Sequence, residues 1–136
     1  MATEASREFD WVTARTNCSI DRVFLDLRQE VQQDVTTRNG LVSTSQKQDL
    51  IAFTFEPKEQ QPNAFAVVRN GANVMSLVNF KRDNSAILAI DVNGKVIVEA
   101  KLTLNDFGDC RLVVGKDELT HWQFRRRGLQ ALFFDF

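Results

Sequence analysis

The stretch "AILAIDVNGKVIVEAK", Ala86–Lys101, decides how this chain is read. Two apolar, β-branched runs flank Asn93-Gly94, and a type I′ hairpin needs positive φ at both central positions, which Asn and Gly supply. A two-residue turn pairs Val92 with Lys95. Ile87, Ala89 and Asp91 then share a face with Val96, Val98 and Ala100. The same register sets Ile90 opposite Ile97 on the other face, with Leu88 two positions along.

Working outward, a two-residue Asp83-Asn84 turn places Val74, Ser76, Val78 and Phe80 on the apolar face. A four-residue loop at 70–73 adds Phe65 and Val67, and Leu102, Leu104, Leu112 and Val114 complete it. Candidate strands are 50–56, 64–69, 74–82, 85–92, 95–104 and 110–114, separated by Pro, Asn-Gly and Asp-rich turn signals. The segment 42–48 has no apolar period and reads as a loop. The reverse face is mixed: Asn79, Lys81, Lys95, Glu99, Lys101 and Arg111 beside Met75, Leu77, Leu88, Ile90 and Ile97. Apolar residues edged by charge suit a contact surface, so Leu88, Ile90 and Ile97 are the interface candidates.

Upstream, "EFDWVTART" (8–16) alternates with period two and suggests a first strand over 9–16. Then Ile20, Val23, Phe24, Leu27, Val31 and Val35 recur at helical spacing. Ser19 is the expected N-cap, and Asn39-Gly40 the expected left-handed stop, for a helix over 20–38. Downstream, "THWQFRRRGLQALFFDF" (120–136) opens with a Thr120/Gln123 capping box and a Leu119/Phe124 staple. Trp122, Leu129, Leu132, Phe133 and Phe136 form its apolar stripe, so a helix over 120–135 covers the sheet with Trp122 in the core. Gly128 is tolerable in mid-helix if its position lies against the sheet or another helix. Arg125, Arg126 and Arg127 fan around the helix axis and diverge, reading as solvated, snorkelling side chains. His121 reads as an exposed helix-start residue.

The expected class is therefore α+β: one antiparallel meander with an N-terminal and a C-terminal helix on one face, in a single domain spanning 1–136. The 136 residues and 43% hydrophobic content allow one solid core. A net charge of −1 gives no field to attract nucleic acid, which excludes it as the expected partner. No apolar run approaches the ~20 residues of a membrane span, so no membrane insertion is expected. The polar, acidic start lacks a secretory pattern, and the chain reads as cytoplasmic. Cys18 and Cys110, far apart and without CxxC spacing, are expected as free thiols in a reducing cytosol.

Reactive groups are sparse. One histidine and two distant cysteines give no zinc spacing, and there is no Walker loop or GxGxxG. His121 has no sequence neighbour to complete a nucleophilic triad. No catalytic residue, metal ligand or cofactor is expected. Asp106-Phe107-Gly108 is a hairpin turn. Asp91, Ser76 and Arg69 gather at one end of the apolar face.

The order strand, helix, meander, C-terminal helix resembles the helix-grip fold of START and Bet v1-like proteins. "WVTARTNCSIDRVFLDL", Trp11–Leu27, is similar to their strand-to-helix opening. The expected function is non-enzymatic binding of an apolar small molecule between the sheet and the C-terminal helix. Phe65, Ser76, Val78, Asp91, Val98 and Phe124 are the cavity candidates. A homodimer or protein-interaction module using the mixed face is the alternative, and a cyclase- or hydrolase-like enzyme of the same fold a second one.

Overall fold

The computed structural model describes residues 8–41, 51–58, 63–71 and 76–135. A short helix α1 (Trp11–Asn17) and a long helix α2 (Ile20–Gly40) precede the sheet. Its strands are β1 (Ala52–Pro57), β2 (Ala64–Asn70), β3 (Ser76–Arg82), β4 (Ile87–Asp91), β5 (Val96–Leu104), β6 (Cys110–Val114) and β7 (Asp117–Leu119). Helix α3 (His121–Phe134) closes the order. The strands lie side by side in sequence order and every pair is antiparallel, so the α+β meander holds.

The apolar face lies where its period of two places it. Phe53, Phe65, Val67, Val78, Phe80, Ile87, Ala89, Val98, Ala100, Leu112 and Leu119 are buried in one cluster. Val23, Phe24, Leu27, Val31 and Val35 of α2 meet them, as do Phe124, Leu129, Leu132 and Phe133 of α3. Both helices thus share one side of the sheet.

The turns are longer than the sequence suggests. Arg82 pairs with Ile87, leaving four residues between β3 and β4 rather than two. The Asp83 carboxylate accepts from the Ser85 and Ala86 amides at 2.7 and 2.8 Å, and this Asx geometry fixes the wider loop. The Ser85 amide leads in holding the Asp83 carboxyl below its ordinary pKa, followed by that of Ala86. Arg69 pairs with Ser76, so six residues separate the last pair of β2 and β3 instead of four. Both corrections shift register by two, which preserves the face. Val74, Met75, the 42–48 loop and Phe136 lie outside the described residues.

At the Asn93-Gly94 end the register slips by one. Ala89 pairs with Val98 as expected, but Ile90 pairs with Val96 rather than Ile97. The Asp91 amide donates to the Lys95 carbonyl at 2.8 Å, and Gly94 takes φ +84°. A three-residue turn followed by a bulge replaces the simple hairpin. Strand β7 was not foreseen, because Gly115-Lys116 carries a weaker turn signal than Asn-Gly.

Three expectations fail near the N-terminal helices. Residues 11–17 form a helix, not a strand: Asp10 accepts from the Thr13 amide and hydroxyl at 3.1 and 2.7 Å and starts it. None of its residues is buried, so no sheet face is there to enforce the alternation. Gly40 is helical, and positive φ is absent there. Instead Asn39 acts as a clasp, donating to the Phe53 carbonyl at 2.8 Å and accepting from the Phe53 amide at 3.0 Å. That satisfies backbone groups on the outer edge of β1.

Finally, Cys18 and Cys110 form a disulfide. Cys18 follows α1 and Cys110 opens β6, and the fold brings their Cα atoms to 5.4 Å, within bridging range. Their 92-residue separation conceals this in the sequence.

Candidate ligand-binding site

Among the described residues, the middle of the space between sheet and helices is filled. Phe65 stacks on Phe80 with centroids 5.1 Å apart and planes 15° apart. Phe24 and Phe55 flank it at 5.1 and 5.5 Å, and Phe124 reaches Phe80 at 6.4 Å. Phe65, Phe80 and Phe124 are all 0% exposed. Gly128 sits where it was expected, against the sheet: a Cβ there would lie 3.1 Å from the Phe80 ring and 3.2 Å from Ala89 Cβ. Of the cavity candidates, Phe65, Val98 and Phe124 are therefore packing units of the core.

The other three meet at a cleft of about 270 Å³ at one end of that core. Ser76, Val78 and Asp91 line it with Arg69 and Ile97 from the sheet and Leu132 from α3. Two of its polar side chains are held by the fold. Asp91 Oδ1 accepts from the Asn93 and Lys95 amides, both at 2.9 Å, and Arg69 donates to the Leu132 carbonyl at 3.1 Å. The bulge explains Ile97: it lines this cleft rather than standing beside Ile90. Leu88 and Ile90 remain on the outer face, half-buried, with Leu88 flanked by Lys81 and Glu99.

A larger groove of about 370 Å³ runs between α2 and α3 on their outer side. Leu129 and Phe133 form its floor. Trp122, Leu41 and Phe134 edge it at 55%, 71% and 63% exposure. Trp122 is thus not in the core. The buried stripe of α3 is Phe124, Gly128, Leu129, Leu132 and Phe133, and Trp122 points to the groove instead.

The helix pair is tied by charge. Arg125 donates to Glu30 at 3.0 Å and to Asp34 at 2.7 Å, and His121 Nδ1 lies 2.9 Å from Glu30. His121 is therefore a half-buried interhelical contact rather than an exposed one. The three arginines diverge as expected. Arg126 bonds Gln130 at 3.0 Å, and Arg127 turns to Asp117 on β7 at 3.0 Å. The Thr120 amide donates to Gln123 at 2.9 Å at the helix start.

A third cleft, about 470 Å³, is polar and lies by the start of α2. Its Arg82 pairs with Asp21 at 2.6 Å and with Asn63 at 2.9 Å, and its Arg15 bonds the Cys18 carbonyl. Among the described residues no three of His, Cys, Asp or Glu gather as a metal site would require, and no helix is long and apolar enough to cross a membrane.

No family model, curated protein or solved structure matches this chain.

The sequence reading missed the groove but contained a sign of it. The apolar stripe of α3 from Trp122 to Phe136 is wider than one sheet contact needs. Trp122 of that stripe edges a second surface, together with Phe134, which the stripe does not include.

Proposed function

We propose that this chain is a non-enzymatic binding module that holds an apolar small molecule in the groove between α2 and α3. One observation carries the reading. Trp122, Leu41 and Phe134 stay more than half exposed beside a single concave surface, although the core is closed by phenylalanine. A groove of about 370 Å³ falls in the size range of small-molecule sites, which are mostly apolar with few polar groups. The filled interior favours this outer groove over the space between sheet and helix. The Cys18–Cys110 bridge supports an oxidising compartment over the cytosol as the place of action.

Trp122 makes the reading testable by fluorescence. The chain has two tryptophans, so Trp11→Phe leaves Trp122 as sole reporter. Titration of that variant with the neutral probe 1-N-phenylnaphthylamine should quench or blue-shift Trp122 with saturation. Leu41→Glu, at an exposed position, should weaken binding about tenfold with little change in melting temperature. Trp122→Ala should cost under ~1 kcal/mol of stability, since the ring is largely outside the core. A Trp122 signal indifferent to the probe would remove the proposal.

A further inference from the structure

The charges around the groove are unevenly matched. Arg125 and His121 face the carboxylates of Glu30 and Asp34 and are balanced by them. Arg38 and Arg126 have no carboxylate partner among the described residues. Arg126 is exposed and holds only the neutral Gln130 side chain. Arg38 donates to the Phe133 carbonyl at 3.0 and 3.2 Å and lies over the Phe53 and Phe134 rings at 5.1 and 5.0 Å. Neither a carbonyl nor a π face neutralises a guanidinium. Two cations without a counter-charge among the described residues therefore line a groove whose floor and edges include Leu129, Phe133, Trp122 and Leu41. This excess of positive charge is local, because the chain as a whole carries −1.

From this we infer that the ligand is an amphiphile: a single apolar chain lying along the groove, with an anionic head, a carboxylate or its equivalent, held by Arg126 and supported by Arg38. A guanidinium pairs a carboxylate through two parallel N–H···O bonds, and the apolar flank of the groove lowers the dielectric around that pair. Arg126 can meet a head group at small cost, since its present partner is a neutral amide. Arg38 is held in place by the Phe133 carbonyl and contributes mainly its charge. Arg125, already neutralised, is left to fix the helix pair. The inference rests on the groove being the binding site.

Three twelve-carbon probes that differ only in the head separate the two ideas: dodecanoate, dodecanol and dodecyltrimethylammonium. Each is titrated below its micelle concentration into the full chain carrying Trp11→Phe. Dodecanoate should bind about tenfold more tightly than dodecanol, and the ammonium probe most weakly. Arg126→Gln should abolish the preference for dodecanoate while leaving dodecanol affinity within about twofold, and Arg126→Lys should retain part of it. Raising salt should narrow the preference in the parent chain and not in Arg126→Gln. Equal binding of dodecanoate and dodecanol would overturn the anionic head while the groove itself stands. Tighter binding of the ammonium probe would overturn it too. If no probe perturbs Trp122, both the head group and the groove reading fall.

Discussion

Replacing both cysteines, as Cys18→Ala/Cys110→Ala, should lower the unfolding free energy by about 4.6 kcal/mol, the loop-entropy value for a bridge whose cysteines are 92 residues apart. The bridge pins the end of α1 to the start of β6, and α1 buries none of its own residues. Just ahead of α1, the Phe9 ring lies against Gly108. Urea unfolding of the parent chain, oxidised and reduced, and of the double alanine variant reads the effect. The reduced parent and the variant should agree, and both should fall well below the oxidised parent. A difference under ~1 kcal/mol would mean that the bridge does not constrain the unfolded chain as the loop length requires. Alanine is preferred to serine because Cys18 is 2% exposed, and a buried hydroxyl would add its own desolvation cost.

The second large effect lies at Phe65. It is 0% exposed and touches three other rings, those of Phe24, Phe55 and Phe80, so it joins α2 to β1 and β3. Phe65→Ala should cost ~3–5 kcal/mol, from lost transfer energy plus the cavity left in a close-packed interior. Phe65→Leu should recover roughly half of that. A Phe65→Ala chain that melts within a few degrees of the parent would show a loosely packed core. That would reopen the interior as a ligand space.

How far the sequence carried the fold depends on what each signal measures. Face alternation along β2 to β6 survived two mistaken loop lengths, because both errors were even and left Phe65, Val78 and Ile87 pointing inward. The odd error, at the bulge beside Asn93-Gly94, moved Ile97 away from Ile90. Residues 11–17 misled because Trp11, Val12 and Thr13 favour strands, whereas the Asp10 cap and the lack of a sheet neighbour decide for helix. Asn39 reads as a helix stop, and its clasp on Phe53 depends on β1 being the open edge of the sheet, which periodicity along the chain does not reveal. The disulfide was hidden by distance along the chain. For the site, Arg69, Ser76 and Asp91 do meet at a cleft, as their register suggested. The groove needed the packing angle of two helices, which no periodicity records.

We propose an interior packed at its centre and a binding surface outside it, between α2 and α3. Methyl NMR during titration with dodecanol tests this most directly, since the two locations carry different methyl groups. Leu41 and Leu129 border the groove, while Val67, Ile87 and Val98 lie in the core. The expected result is saturable shifts at Leu41 and Leu129 with Val67, Ile87 and Val98 unmoved. Shifts concentrated at Val67, Ile87 and Val98 would contradict the claim and place the ligand between sheet and helix.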